Sequence, residues 1–442
     1  MILNILINTL SFIVVIGVMI FIHEGGHFLA AKFFGVRVEI FSLGFGKRLW
    51  GFKRGETDYR VSLIPLGGFV KLAGEHIEDG YRGEDYEYLS KPRYQRIFIL
   101  LAGPFMNLIF AILLVAFNFY TGVKKPQFYS DKAVVGYIAK DSPAEKAGVK
   151  LYDEILKMGK KKVKTWEDFL VESFYYSKDE IIMEVLRAGR REFLKIKLRE
   201  SLTGASDITG IYPLFYTYVT DVLKNSPAEE AGIKKGDVFL WAKFKGKVYR
   251  GHYLITETIL KNPGKRILFG IKRGNEILEK VIIPMPRKED KSKGMLGFTF
   301  DLKYITEKYS PLRSFKKSFE KNYMYALITY RIFSKVIRGK LSIKQFSGPV
   351  EIAKASGEAV KSRSLKVVFE FMALISLSLG LLNLLPFPLL DGGMIALLLI
   401  ESLARRDIPV KVKEKILQFG FWFLILFMMI IIYFDLMKSF GR

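Results

Sequence analysis

The stretch Phe21-Ile22-His23-Glu24-Gly25-Gly26-His27-Phe28 decides how the rest of the sequence is interpreted. It contains an H-E-x-x-H pattern, and Glu24 is the only formally charged side chain in residues 1–31. In a helix, His23 and His27 are four residues apart and project from one face. That spacing suits two nitrogen ligands of one Zn²⁺. Glu24 lies about 100° further round, where it can act on water without being a ligand.

The alternative is that these side chains are ordinary packing residues of an apolar helix. Ionisable groups in lipid are costly and usually mark function. The chain has only four histidines, which makes a chance match to this pattern rare. We therefore predict a metal site with His23 and His27 among its ligands.

The composition indicates a membrane protein of more than one domain. The chain has 442 residues, of which 50% are hydrophobic, and its formal net charge is +25. The basic residues flank apolar spans, which is typical of the cytoplasmic side of a membrane protein facing anionic lipid. A nucleic-acid partner is not expected. The absence of cysteine excludes disulfides and thiolate metal sites.

Four apolar stretches are long enough to cross a membrane. We predict transmembrane segments at 1–35, 97–121, 366–404 and 405–442. The first is not interpreted as a signal peptide, because it lacks a basic start, is too long and has no clean small-residue cleavage site.

Residues 36–96 form a polar segment whose first half is rich in Val, Phe, Gly and Tyr, with turn signals between the apolar runs. This pattern predicts a small β-sheet on the cytoplasmic side. Gly44 and Gly46 flank Phe45 within it, and they allow either a close backbone approach or a bulge.

The second span contains Gly103-Pro104-Phe105-Met106-Asn107, which is unusually polar and helix-breaking for a membrane segment. Such residues are tolerated where protein rather than lipid surrounds the backbone. Two interpretations stay open: a functional contact, or a packing kink in which Asn107 bonds a neighbouring helix.

An internal repeat follows the second span. Residues 141–150 are D-S-P-A-E-K-A-G-V-K and residues 225–234 are N-S-P-A-E-E-A-G-I-K. An aspartate and an apolar strand come after each copy, with Asp153 in the first and Asp237 in the second. The pattern predicts a turn, a short helix, a glycine stop and a strand. The spacing of the copies is that of a domain, too long for solenoid repeats.

The repeat resembles PDZ domains of the bacterial protease type, and we predict two of them, at 122–204 and 205–302. Such domains add a peptide strand to a sheet edge and hold a terminal carboxylate. Peptide or protein C-termini are therefore candidate partners, and the alternative is a spacer or gate that binds no peptide. Tyr152 stands where the second copy has Gly236, which leaves the turn geometry of the first copy in doubt.

Residues 303–365 are basic and amphipathic. We predict a helix that lies at the membrane surface, the alternative being a solvated basic helix packed on the PDZ pair.

The third span holds Asn383-Leu384-Leu385-Pro386-Phe387-Pro388-Leu389-Leu390-Asp391-Gly392-Gly393. Its two prolines cannot continue a regular helix, and backbone opened at membrane depth must face protein or water. A buried Asp391 needs a counter-charge. Zn²⁺ held by His23 and His27 is the natural candidate.

Charge places the segments across the membrane. The loop 36–96 and the link around 405–415 are both basic and are separated by an even number of spans. The positive-inside rule therefore puts both in the cytoplasm. Both termini and residues 122–362 are then expected outside, with the metal site inside the bilayer towards the cytoplasmic face.

Together these features resemble the site-2 protease family of intramembrane zinc metalloproteases. The motifs are H-E-G-G-H at 23–27, L-G-G-F-V-K-L-A-G-E at 66–75, G-P-x-x-N at 103–107, the PDZ repeats, F-S-G-P-V-E-I-A at 346–353 and N-L-L-P-F-P-L-L-D-G-G at 383–393. The expected fold is a polytopic α-helical membrane protein with four transmembrane helices, a small membrane-associated β-sheet and two extracytoplasmic PDZ domains.

The resemblance implies a role for each motif residue. His23, His27 and Asp391 are expected to bind Zn²⁺, and Glu24 is expected to be the catalytic acid and base. Asn383 is expected to hold substrate backbone or the developing oxyanion. The other expected substrate-binding residues are Gly44, Gly46, Pro386 and Pro388. His76 and His252 are expected to be ordinary surface residues.

The implied activity is cleavage of single-pass transmembrane proteins inside a bacterial inner membrane, after a first cut has removed their outer domain. Anti-sigma-factor-like proteins and remnant signal peptides are the expected substrates, the PDZ pair is the expected size filter, and the protein is expected to be a monomer. Two alternatives are a membrane-anchored zincin that cuts soluble substrates and a non-enzymatic PDZ scaffold or transporter. The zincin is disfavoured because the motif lies inside the apolar run.

Overall fold

The apolar runs fold into long helices in a computed structural model of the chain, which describes residues 2–75, 81–176, 180–199, 209–338 and 348–440. The helices, in chain order, are α1 (Ile2–Phe33), α2 (Arg93–Thr121), α3 (Pro143–Lys146), α4 (Trp166–Tyr175), α5 (Pro227–Glu230), α6 (His252–Lys261), α7 (Pro311–Ile337), α8 (Pro349–Lys361), α9 (Leu365–Asn383), α10 (Asp391–Ala404) and α11 (Val410–Phe440).

Strands alternate with the shorter helices. In chain order they are β1 (Val38–Arg54), β2 (Thr57–Leu72), β3 (Val123–Pro126), β4 (Val135–Ile138), β5 (Glu154–Met158), β6 (Lys161–Lys162), β7 (Glu180–Arg187), β8 (Arg190–Lys197), β9 (Ile211–Pro213), β10 (Thr217–Val222), β11 (Val238–Phe244), β12 (Lys247–Arg250), β13 (Ile267–Arg273), β14 (Glu276–Ile282), β15 (Met285–Pro286), β16 (Gly294–Met295), β17 (Phe298–Leu302) and β18 (Tyr304–Glu307).

The chain divides into two units. One consists of Met1–Val123 with Lys308–Arg442, and the other is Lys124–Glu307. The first holds the long apolar helices and the β1–β2 sheet, and the second holds the repeat.

Within the described residues, four helices of the first unit are long and apolar enough to cross a membrane: Leu3–Phe33, Arg93–Thr121, Leu365–Asn383 and Val410–Met437. This confirms the prediction of four candidate spans. The second starts before the predicted residue 97. The predicted segment 366–404 is two helices, α9 and α10, separated by the proline-containing residues 384–390.

Small and branched side chains pack α2 against α9. Ala111 and Val115 of α2 form a buried cluster with Ala373 and Leu377 of α9. Larger side chains such as Phe110 and Phe369 pack around these residues, so the two helices associate by packing, as helices in lipid do.

The segment 303–365 differs from the prediction of one helix at the membrane surface. It contains two helices, α7 and α8, and residues 339–347 between them lie outside the described part of the chain. The amide of Tyr309 donates to Phe119 O at 3.2 Å, and Ser318 Oγ donates to Ile112 O at 2.6 Å. Helix α7 therefore runs along α2 towards the middle of that span, where the buried Ser318 side chain finds its partner.

Helix α11, the last candidate span, binds the first turn of α8 through a carboxylate. Asp435 of α11 is only 1% exposed, and its Oδ2 accepts the amides of Val350 and Glu351 at 2.8 and 3.2 Å. A carboxylate at this position satisfies amides that the first helical turn leaves unpaired. Asp435 therefore ties α8 to α11.

The β1–β2 ribbon is antiparallel and irregular in register. Phe41 has partners on both sides, Val70 and Tyr59, so the start of β1 lies in the interior of the sheet. Residues 68–72 pair only with residues 38–43. Among the described residues, 68–72 is therefore an outer edge of the sheet.

The second unit consists of two similar β-rich subdomains, each with its own apolar core. The sheets have the strand orders β6-β5-β7-β8 and β4-β9 in the first subdomain, and β14-β13-β11-β10-β17, with β12 on β11, in the second. Strand β9 pairs with β4, so it belongs to the first subdomain. This moves the domain boundary past the predicted position at 204, which itself lies outside the described residues.

A buried ion pair occurs at the same place in both subdomains. Asp153 is bound by Arg187 through Nε and Nη2 at 2.8 and 2.7 Å, and Asp237 is bound by Arg273 through the same atoms at 2.8 Å each. Tyr152, next to the first pair, adopts φ of +69°, and Gly236 has +93°. The turn geometry is therefore preserved in the first copy, although a tyrosine replaces the glycine.

We predict that Asp237→Asn destabilises the second subdomain by about 2 kcal/mol. This is less than for a fully buried pair, because the Arg273 side chain is 32% exposed. Burial alone would raise the pKa of Asp237, but the hydrogen bonds from Arg273 and Lys234 N outweigh it and lower the pKa. The stabilisation is therefore complete above the unfolded-state pKa and is lost as pH falls through the lowered folded value.

Hydrogen exchange of strands β11 and β13 in the full-length protein measures this effect. Asp290→Asn is the matched control, since Asp290 pairs with Lys293 at the surface, and it should leave the exchange unchanged. Equal protection of β11 in Asp237→Asn and wild type would show that the pair adds no stability.

Candidate metal centre

Helix α1 brings two imidazoles together because the histidines are one helical turn apart. Nε2 of His23 lies 3.2 Å from Nε2 of His27. His23 is 7% exposed and the His27 side chain is 12% exposed. Both nitrogens therefore face a protected interior rather than lipid or bulk water.

Asp391, far from the two histidines in sequence, adds a carboxylate to the site. Asp391 is the first residue of α10 and follows the break at residues 384–390. Its Oδ2 lies 3.2 Å from Nε2 of His23, and its Oδ1 lies 3.5 Å from Nε2 of His27. A side chain at Gly392 would overlap the carbonyl of Leu384, so only glycine lets the chain fold back tightly enough to present Asp391 here.

The three side chains fit a zinc ion. Their candidate ligand atoms all lie within 4.8 Å of one another. Zinc bonds of about 2.0–2.1 Å in a tetrahedron require ligand atoms about 3.3 Å apart, which matches the distances above. Two neutral imidazoles and one carboxylate are also a ligand set that leaves a fourth position free.

Neighbouring groups hold both imidazoles in orientation. Nδ1 of His27 lies 2.8 Å from the carbonyl oxygen of Ile99, so it donates there and leaves Nε2 free for a metal. The side-chain amide of Asn107 lies 3.2 Å from Nδ1 of His23, and Ser376 Oγ donates to Asn107 O at 2.8 Å. Of the two interpretations of Asn107, the structure favours a contact with the site.

Helix α2 approaches the His27 ring of α1 closely at Gly103. A Cβ on Gly103 would overlap the His27 ring at Nε2. The unusual Gly103-Pro104 sequence thus lies directly against the second histidine, and the sequence alone did not include Asn107 or Gly103 among the site residues.

A cavity of about 270 Å³ opens beside the centre. Besides the three candidate ligands it is lined by Glu24, Asn383, Gly68, Phe69, Val70, Leu72, Glu75, Tyr88, Ile99, Leu100, Leu389 and Leu390. Glu24 packs near the sheet edge, since a Cβ on Gly68 would lie 3.3 Å from Glu24 Cγ. Nδ2 of Asn383 lies 3.3 Å from Nε2 of His23. The carboxylate, the amide and an outer strand edge, where the Leu72 amide donates to Glu75 Oε2 at 3.3 Å, thus share one small space.

Four predicted substrate-binding residues are not among those that line this cavity. Gly44 has φ of +91° and packs on the carbonyls of Ser62 and Ile64, so it shapes the sheet. Gly46 lies on the same stretch of β1. Pro386 and Pro388 break the helix, and Pro388 packs against Gly420 of α11. The sheet residues that line the cavity are Gly68, Phe69, Val70 and Leu72.

A second cavity, of about 870 Å³, lies in the second subdomain of the repeat, between helix α6, strand β17 and the segment before that strand. His252, expected to be an ordinary surface residue, lines it, and Nδ1 of His252 lies 3.3 Å from Thr217 Oγ1. Burial lowers the pKa of His252. His76 lies outside the described residues.

Two histidines and an aspartate gathered between apolar helices, with a glutamate beside them, define a metallopeptidase-type centre in a helical membrane protein. Residues 11–427 match the model of Peptidase family M50, and the chain belongs to that family.

Curated relatives agree with this assignment. The chain is 31% identical to the regulator of sigma E protease of Haemophilus influenzae over 93% of this chain and 94% of that protein. It is 31% identical to the regulator of sigma-E protease RseP of Escherichia coli over 95% and 96%. A Vibrio cholerae protein named as a candidate zinc metalloprotease is 30% identical over 94% and 95%. The chain is thus a zinc metalloendopeptidase, and zinc is its cofactor.

We predict that Gly103→Ala weakens zinc binding by about tenfold or more. The added methyl group displaces the His27 ring, and displaced supports of metal ligands typically cost that much affinity. Zinc retained after titration with a chelator measures the effect.

Gly17→Ala is the matched control in α1, because a Cβ there meets nothing within 4 Å. It should bind zinc like the wild type. A Gly103→Ala protein that holds zinc as tightly as Gly17→Ala would show that the approach of α2 does not position His27.

Proposed function

We propose that this protein cuts single-pass membrane proteins within the bilayer, as the second cut of a two-step proteolysis. One observation carries the proposal: His23 and His27 of one apolar span and Asp391 beside another come together around a cavity that also holds Glu24. A metal-binding set at this place is costly in lipid unless it has a function there.

In this proposal His23, His27 and Asp391 hold zinc and Glu24 moves the proton. Zinc supplies a Lewis acid that polarises a peptide carbonyl and lowers the pKa of water. The Glu24 carboxylate accepts a proton from the attacking water and returns it to the nitrogen of the leaving amine. The Asn383 amide, beside His23, donates a hydrogen bond to the substrate backbone or the developing oxyanion.

The substrate must unwind before it is cut, because a helix hides its carbonyls in its own hydrogen bonds. We assign the outer edge at residues 68–72 to the unwound segment, which would add to the sheet as another strand. Backbone hydrogen bonds made there offset those lost from the substrate helix. This replaces Gly44 and Gly46 as the expected sheet contacts.

The distribution of basic residues indicates which side of the membrane each segment faces. Residues 36–96 and the link before α11 are basic, so we place them in the cytoplasm of a bacterial cell and the termini and residues 124–307 outside its inner membrane. The names of the relatives concern a sigma-factor regulator. An anti-sigma-factor-like membrane protein is therefore the proposed substrate, with remnant signal peptides as a further class.

We assign the two subdomains of residues 124–307 to the PDZ class. Support comes from the repeated S-P-A-x-x-A-G turns, the repeated Asp–Arg pairs and the strand–helix groove of the second subdomain. They act as a size filter that excludes substrates with an intact outer domain. The 870 Å³ groove of the second subdomain also takes a peptide C-terminus against the edge strand β17.

We predict that Glu24→Gln abolishes cleavage of a model transmembrane peptide, by a factor of about 10² or more, and leaves zinc content unchanged. Glutamine keeps the shape of the side chain but cannot accept the proton. Purified wild type and variant are compared for zinc stoichiometry and cleavage. A variant that cuts as fast as the wild type would show that Glu24 does not carry the proton. A wild-type protein that cuts nothing would support the scaffold or transporter alternative.

We predict that a fluorescent peptide with a free C-terminal carboxylate binds the full-length protein more tightly than the same peptide with a C-terminal amide. A backbone-lined groove end stabilises the negative charge of the carboxylate. Thr256→Glu, a half-buried residue on the α6 side of the groove, should remove the binding. Equal affinity for both peptides would leave the size filter as the role of these domains.

A further inference from the structure

A tyrosine in the catalytic cavity has no part in the chemistry described above. Tyr88 is 8% exposed, lies just before α2 and lines the 270 Å³ cavity together with the candidate metal ligands. Its ring packs in a cluster with Ala31, Val36, Val38, Leu72 and Ile99. The phenol is therefore fixed by surroundings that leave it little freedom to turn.

The Tyr88 hydroxyl lacks a partner in the part of the chain that the structure describes: only the backbone of Tyr88 makes hydrogen bonds there. The hydroxyl oxygen is not among the fully buried polar atoms without a partner, so it is open to the cavity that Tyr88 lines, where a ligand can reach it. Burial raises the pKa of Tyr88, so the hydroxyl keeps its proton and can donate it in a hydrogen bond.

Tyr88 lines the cavity beside the end of the sheet edge, where an unwound substrate would need a donor. Residues 68–72 offer backbone groups to a paired strand, and the amide of Tyr88 donates to Ala73 O at 2.8 Å, just past the end of that edge. A helical segment that has been opened in the membrane carries carbonyls that water cannot satisfy. The edge can serve only those carbonyls that lie opposite it.

We propose that the Tyr88 hydroxyl donates a hydrogen bond to a main-chain carbonyl of the unwound substrate, beyond the end of the edge at residues 68–72. Tyr88 is thus a substrate-binding residue of this site. The inference rests on the proposed function, since it needs a substrate that enters this cavity as an open chain.

Binding to an inactive background tests the inference without catalysis. In full-length Glu24→Gln protein, an uncleaved transmembrane peptide should bind about tenfold more weakly when Tyr88→Phe is added, because one hydrogen bond is lost. Tyr86→Phe is the control, since Tyr86 is 40% exposed and outside the cavity, and its affinity should not change. In the active enzyme, Tyr88→Phe should raise KM about tenfold and leave kcat within about twofold.

A second comparison separates main-chain from side-chain recognition. A peptide with only Ala and Leu around the cut site should show the same tenfold loss as one with Ser and Asn there. A loss confined to the polar peptide would overturn the main-chain assignment. Unchanged affinity overturns the inference, and so does a Tyr88→Phe protein that loses zinc or its fold, because the phenol is then structural.

Failure of the proposed function has a different signature. If the wild type cleaves no transmembrane peptide, the function itself is wrong, and if Glu24→Gln cleaves like the wild type, the role of Glu24 is wrong. If the wild type is active, Glu24→Gln is not, and Tyr88→Phe behaves like Tyr86→Phe, only the role of Tyr88 is refuted.

Discussion

A carboxylate and two imidazoles lie together among apolar helices, and each is tolerable there only because the others are present. A lone aspartate at this depth would have to be neutralised or exposed to water, at a cost of several kcal/mol. With Asp391 within 3.5 Å of both histidine nitrogens, a bound cation can compensate the carboxylate. The breaks, glycines and polar residues of the surrounding helices are understandable as the means of assembling this one contact.

The sequence carried the local parts of this site and missed those that depend on tertiary structure. His23 and His27 were predictable because helical periodicity puts them on one face. Asp391 was predictable because a charge that follows two prolines is abnormal in a membrane span. Asn107 had a visible signal, an amide in an apolar run, but its partner was not encoded nearby. Gly44 and Gly46 were expected to contact substrate but do not line the cavity, because the register of β1 and β2 has bulges that no sequence periodicity reveals.

In the repeat, too, local features were predictable from sequence and those that depend on tertiary structure were not. The S-P-A-x-x-A-G turns were found from sequence, but the pairing of β9 with β4 joins segments far apart in the chain, so the boundary between the copies was not. Tyr152 takes a left-handed conformation that costs a tyrosine about 1–2 kcal/mol. The neighbouring Asp153, held by Arg187 and by the amide of Lys150, stabilises the turn enough to outweigh that local preference.

The ligands of the proposed centre come from opposite ends of the chain. During synthesis His23 and His27 enter the membrane long before Asp391 leaves the ribosome, and the intervening residues must be made first. A nascent or truncated chain therefore carries an incomplete ligand set and cannot hydrolyse its neighbours in the bilayer. Competence arises only after α10 has been made, so the order of the segments along the chain delays hydrolysis until all three ligands are present.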